Sequence, residues 1–289
     1  MSGSVLEVRK VHDQEKKPEQ IITFIFALLL AIFVIFPFVV MVSMSLKTPG
    51  EQFTSPPYLI PHRPTLSNYL HVFGRGSMFA QYFLNSLLIA SVSTLIVLGV
   101  SVFSSYGYAR MDFPGKNVFL VLLLLSQLFP LAAIIVPLYR IMGNLKLIDS
   151  YFSLIIGYLV FSVPVGVWLL RSFFLGIPRE LEEAAIIDGC TRFQAFWKIV
   201  IPLVRPGMGA TAAYIFFITW QEFMFALTFI TSEAKRTLPV GIFDFVGQYE
   251  TNWGNLMAAS ILICIPVFIL FLFVQKQLVG GLTQGAIKG

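Results

Sequence analysis

Charge is what this chain has least of. Only 12% of its 289 residues are Asp, Glu, Lys or Arg, where a soluble domain carries nearer a quarter. Histidine and cysteine are also few, three and two. His12, His62 and His71 are scattered, and no H-E-x-x-H or C-x-x-C pair supplies a metal site. Cys190 and Cys264 fall in a charged connection and in an apolar run, so no disulfide is expected. There is no G-x-x-x-x-G-K-[ST] phosphate loop and no G-x-S-x-G nucleophile elbow. ATP binding by the usual loop, metal hydrolysis and acyl transfer are therefore not expected of this chain. A basic patch interleaved with exposed aromatics is also missing, which argues against nucleic acid.

What is present is apolar. Hydrophobic residues make up 57% of the chain, and the mean hydropathy is +0.81. Uncharged runs near the roughly 20-residue length that crosses a bilayer occur at about 21–46, 82–108, 117–139, 151–170, 207–230 and 256–274. They predict an all-α integral membrane protein with six transmembrane helices. The first run reads as a retained signal anchor. With the N-terminus inside, thirteen Lys and Arg fall on the cytoplasmic side and seven outside. That bias puts both termini in the cytoplasm. The expected division is a loose cytoplasmic tail at 1–20, a six-span transmembrane body at 21–280 and a second cytoplasmic tail at 281–289. The body carries external loops at 47–81 and 231–255 and a cytoplasmic hairpin at 171–206. Prolines and aromatics in 47–81 predict an ordered cap. The stretch around Tyr249, Asn252 and Trp253 gives the second loop aromatic and amide groups.

The most charged stretch is "PRELEEAAIIDGCTRFQAFWKIVIPLVRPG", residues 178–207. Pro178 suits a helix start, and Glu180, Glu182 and Glu183 suit the positive end of its dipole. Gly189 is placed for a left-handed cap, and Thr191 with Gln194 forms a capping box. Helical spacing puts Leu181, Ala184 and Ala185 on one face, with Ile186 and Ile187 opposite beside Glu182 and Glu183. Phe193, Phe196, Trp197 and Val200 form the second helix's apolar stripe, and Pro202 and Pro206 close the segment. Such a hairpin fits either a partner protein or the membrane surface.

The run Glu183-Ala184-Ala185-x3-Gly189-x9-Ile199-x-Ile201-Pro202 resembles the EAA signature of permease subunits in binding-protein-dependent ABC importers. Ile201 stands where leucine is commoner, a volume-conserving change. "YFLNSLLIA", "YARMDFPGK", "FPLAAIIVPLY", "TWQEFMFAL", "TLPVGI" and the closing "GLTQGAIKG" extend the likeness to the smaller permease of the maltose-type sugar branch. The resemblance implies a type I ABC importer fold in a bacterial or archaeal inner membrane. It implies ATPase coupling through Glu183, Ala184, Ala185, Asp188, Gly189, Ile199 and Pro202. The implied partners are a second permease, an ATPase dimer that holds ATP and Mg, and an extracytoplasmic sugar-binding protein facing the external loops. "GLTQGAIKG", rich in glycine, is expected to be extended and to follow the ATPase surface. Among polar residues at membrane depth, Asn85 reads as a cross-helix hydrogen bonder. Gln127, Gln221 and Glu222, with Phe225 beside the last pair, are expected to line the substrate pathway. Gln221 replaces an asparagine common in that branch. The alternatives are a glycerol-phosphate importer of the same family, a phosphotransferase-type channel and a secondary sugar transporter. The last lacks a proton relay, because Glu222 is the one acid well inside a span.

Overall fold

The computed structural model describes the backbone of residues 3–286 except 75 and 248–250, and the side chains of 20–275 with the same exceptions. The helices in chain order are α1 (Gly3–Ser45), α2 (Pro49–Gln52), α3 (Ser67–Val72), α4 (Phe79–Arg110), α5 (Lys116–Ser126), α6 (Leu131–Asn144) and α7 (Tyr151–Leu175). They continue with α8 (Glu180–Ile187), α9 (Arg192–Ala195), α10 (Ile201–Trp220), α11 (Met224–Phe229), α12 (Leu238–Gly241) and α13 (Trp253–Ala286). A π-helical segment, Phe196–Val200, joins α9 to α10.

Five helices are long and apolar enough to cross a membrane, or six if α5 and α6 count as one bent span. The third expected span is thus corrected: α5 and α6 meet at 99°. Pro130 explains the break, since it has no N–H to continue the ladder and holds Phe129 out of the helical region. The fifth expected span is corrected as well. Pro202 and Pro206 do not end a helix; both lie in α10, and the π-helical segment just before Pro202 accommodates its missing N–H. The two tails also differ from expectation, because the backbone is helical from Gly3 and through Ala286. A long apolar helix propagates into polar or glycine-bearing ends without a new nucleation cost. Residues 287–289 lie outside the described residues.

The chain divides into two compact units, residues 1–72 with 245–261 and residues 73–244 with 262–289. In the first unit the segment that follows α1 is ordered, as its composition predicted. Asn68, buried, donates its amide to the carbonyls of Ser45 (2.7 Å) and Lys47 (2.9 Å), closing the C-terminus of α1. The Lys47 side chain, 5% exposed, donates to the Tyr58 carbonyl and sits over the Tyr58 ring. A cation at a helix C-terminus complements its dipole.

The second unit is built on α4, α7 and α10. Small residues let α4 and α7 approach closely: a Cβ on Gly166 would collide with the Ser101 hydroxyl, and Ser105 donates to the Val167 carbonyl at 3.0 Å. At one end Asn85 donates to the carbonyls of Ala234 and Arg236 and accepts from Tyr151, each at 2.9 Å. This is the bonding role expected of it. Beside it Asp149, in the left-handed region at φ +60°, accepts from the backbone of Thr231 (3.0 Å) and Ser232 (2.8 Å) and pairs with Lys235 (3.0 Å). The hydrogen bonds from Ser232, first its hydroxyl and then its backbone, hold the Asp149 carboxyl below the usual carboxylate range.

A group with a depressed pKa stabilises the fold above its unfolded pKa and loses that contribution as pH falls. Asp149→Asn should therefore lower stability at neutral pH by ~1–3 kcal/mol, the range for a lost charged hydrogen bond. The gap in melting temperature from the wild type should hold down to about pH 4, the unfolded carboxylate value, and narrow below it. Thermal melts of the detergent-solubilised protein across that range check this.

Candidate functional site

The hairpin is built by local chemistry. Three glutamates occupy the first turn of α8. At its end Gly189 adopts φ +87°, a left-handed value that glycine takes without strain. The Cys190 N–H bonds back to the Ala185 carbonyl at 2.9 Å and the Gly189 N–H to Ile186 at 3.0 Å, a Schellman closure. The next helix opens at once. Gln194 N–H donates to the Thr191 hydroxyl at 3.2 Å, and Thr191 N–H donates to the Gln194 side chain at 2.9 Å. The predicted capping box is present.

The faces differ from the helical-wheel expectation. Glu182 and Ala185 are buried, while Leu181 and Ala184 are exposed. Glu182 turns inward because Arg110, in the last turn of α4, meets it. The Arg110 Nε donates to one Glu182 oxygen, and the Tyr106 hydroxyl donates to the other at 2.9 Å. The remaining Arg110 nitrogens donate to the carbonyls of Phe174 (3.3 Å) and Ile177 (3.1 Å) at the end of α7. Arg179 adds a bond to the Ala109 carbonyl at 3.1 Å. One guanidinium therefore joins α4, α7 and α8. Sequence reasoning counted Arg110 only as a topogenic charge; 72 residues separate it from Glu182, and no local pattern links them.

The second arm seats Phe196, Val200, Ile201 and Val204 in a core with Val102, Leu170 and Phe174. Phe193 and Trp197, expected in the same stripe, are exposed. The helix widens between them: Ile201 N–H bonds to the Phe196 carbonyl, five residues back. Pro202, which has no N–H, follows directly. What faces solvent is Ile187, 86% exposed, with Leu181, Ile186 and Phe193 nearby in sequence. Of the other residues expected to couple, Glu183, Ala184, Asp188, Gly189 and Pro202 are exposed, Ile199 is half-buried and Ala185 is buried.

The expected pathway residues fall into two groups. Gln221, at the end of α10, and Gln127, at the α5–α6 break, are exposed. Gln127 donates to the Phe161 carbonyl at 3.2 Å. Glu222 and Phe225 instead lie inside this chain's own core. The Glu222 carboxylate accepts the N–H groups of Phe225 (2.8 Å) and Ala226 (3.2 Å). These two bonds serve the first free N–H groups of α11. Phe225, fully buried, stacks on Phe161 at 5.9 Å. A helix restarting within a span must satisfy its free N–H groups internally, which accounts for an acid at that depth.

The same overall helical fold is also found among solved transporters. One chain of a bacterial ABC transporter for import of the acidic polysaccharide alginate shares this fold, with a TM-score of 0.74, 24% identity, and coverage of 90% of this chain and 97% of that one. Residues 99–284 match the binding-protein-dependent transport system inner membrane component family, and the chain belongs to that family. It is 40% identical to the sulfoquinovosyl glycerol transport system permease of Agrobacterium fabrum, over 92% of this chain and 93% of the relative. It is 36% identical to the trehalose/maltose transport system permease of Thermococcus litoralis, over 96% and 99%. A third relative, at 34% over 92% and 94%, is the arabinooligosaccharides transport system permease of Bacillus subtilis.

Removing one partner of a buried ion pair strands the other charge, typically at a cost of ~3–5 kcal/mol. Arg110 and Glu182 side chains are both 11% exposed. Glu182→Ala should therefore lower the melting temperature sharply and Glu183→Ala, one residue on but exposed, hardly at all. Paired thermal melts of the two variants check this.

Proposed function

We propose that this chain is the smaller of two permease subunits in an ATP-driven importer of a sugar, with an oligosaccharide as cargo. An extracytoplasmic binding protein delivers the cargo, and the chain itself performs no covalent chemistry. The transport systems named for three relatives, each a sugar or sugar conjugate, support the cargo class. An ATPase dimer supplies the energy, consistent with a chain that has no phosphate loop. Six crossings with both termini in the cytoplasm fit the Lys and Arg distribution.

The observation that carries the reading is the hairpin. It presents Ile187 and Phe193, 86% and 67% exposed, on a frame fixed to α4 and α7. Apolar side chains held rigidly in water are what a protein groove selects. The residues in the coupling role are Glu183, Ala184, Asp188 and Gly189 around the turn, with Ile199 and Pro202 behind it. Secondary transport is the weaker reading, because the one acid within the spans is engaged in capping a helix.

Gly189→Val tests the docking role. No atom lies within 4 Å of where its Cβ would stand, so the cost is the left-handed backbone, upwards of ~1–2 kcal/mol. The variant should reach the membrane at normal abundance yet retain roughly tenfold less ATPase on purification, equivalent to ~1.4 kcal/mol of binding, with uptake lost. Gly189→Asn, which tolerates that backbone region, should keep both. Normal ATPase retention and uptake in Gly189→Val would overturn the docking role.

A further inference from the structure

In the first unit a cavity of about 560 Å³ is lined by Pro49, Gln52, Phe53, Thr251, Asn252 and Trp253. Its size lies within the ~300–1,000 Å³ typical of small-ligand sites. Two aromatic rings are open to it, Phe53 at 72% and Trp253 at 39% exposure. The walls are fixed by backbone contacts. An antiparallel bridge pairs Val246 with Thr251, and the Asn252 N–H donates to the Phe245 carbonyl at 3.2 Å. Gly254 is pressed so closely that an added Cβ would come within 2.7 Å of the Asn68 amide.

The polar groups are spare and uncharged. The Asn252 side-chain oxygen accepts from the Asn255 N–H at 3.1 Å, which leaves its amide nitrogen for a ligand. The Gln52 nitrogen makes a long 3.5 Å contact to the Lys47 carbonyl, too weak to compete with a well-placed hydroxyl. Amide groups both donate and accept, matching hydroxyls that do the same. The flat C–H faces of a pyranose are apolar and gain by leaving water against an aromatic ring. No Lys, Arg, Asp or Glu is among the six lining residues. Among the described lining residues a phosphate or carboxylate finds no counter-charge.

We propose that this cavity is a binding subsite for an uncharged sugar ring, with Trp253 and Phe53 as stacking surfaces and Gln52 and Asn252 as hydrogen-bond partners. The proposal rests on the sugar-import reading and narrows it to neutral saccharides at this position. It differs from the expectation that the 231–255 loop simply faces the binding protein.

The test uses the complete importer in lipid nanodiscs without binding protein, labelled with 5-fluorotryptophan. The Trp253 fluorine resonance is assigned by its loss in Trp253→Phe. Maltotriose and trehalose should shift it saturably, whereas glycerol 3-phosphate should not. Gln52→Ala should raise the half-saturating concentration by about tenfold, the effect of one lost hydrogen bond. Phe53→Ala, at an exposed position that leaves the fold intact, should act the same way. Uptake by the same importer with its binding protein separates the two readings. If maltotriose or trehalose is taken up but leaves the Trp253 resonance unmoved, the subsite falls and the sugar reading stands. If no neutral sugar is imported, both fall. An equal shift with glycerol 3-phosphate overturns the preference for uncharged ligands. A shift produced only by sugar-free binding protein makes the cavity a protein contact and overturns the proposal.

Discussion

The Arg110–Glu182 pair is the constraint on which the hairpin end of this chain depends. The hairpin's first arm, α8, has eight residues, too few to hold a helix by itself in water. It keeps its shape because one buried guanidinium bonds a carboxylate on α8 and two carbonyls at the end of α7 while standing on α4. The guanidinium suits this task because its donors fan out in a fixed plane, which a lysine ammonium cannot reproduce. At Phe174 the guanidinium adds a second donor to a carbonyl that also accepts the Ile177 N–H at 3.3 Å. The same contact that orders the hairpin thus also finishes a membrane helix.

This arrangement determines how a push on the hairpin is felt. Ile187 and Phe193 stand outward, while Glu182, Ala185, Phe196 and Val200 are seated in the core of the second unit. Displacement of the outer surface therefore acts on α4, α7 and α10 through packed and bonded contacts. At the opposite end of α4, Asn85 and the Asp149 clamp tie the 231–236 loop to the same helices. A helix pair with small residues between its members, such as Ser101 against Gly166, connects the two ends.

The hairpin was legible in the sequence where its determinants are local. Gly189, Thr191 and Gln194 act within a few residues of themselves, and each behaves as its spacing predicts. Glu182 was misread because its partner is distant in sequence and a helical wheel treats every acid as outward. Hydropathy found all the apolar runs but could not see that Pro130 divides one of them, since proline counts there as one mildly polar residue. The depth of Glu222 was legible and its role was not. A carboxylate serving the N–H groups of Phe225 and Ala226 is recognisable only once the helix is known to restart. The cavity beside Trp253 was half visible: the amides and aromatics were noted, but Pro49, Gln52 and Phe53 come from a segment about 200 residues earlier.

The break between α5 and α6 also bears on how the chain enters the bilayer during synthesis. At about 1.5 Å per residue, α5 with 11 residues and α6 with 14 reach about 16 and 21 Å. Neither alone covers a hydrocarbon core of about 30 Å. A segment leaving the translocon as two short rods exposes unpaired backbone groups at the bend, which lipid does not tolerate. The contacts that shelter it come from later in the chain, α7 for α5 and α11 for α6. The ribosome has completed the bent segment before these two helices exist. The core around α6 also includes Ile89 and Val92 of the earlier α4, so the bent segment is held between helices made before it and after it.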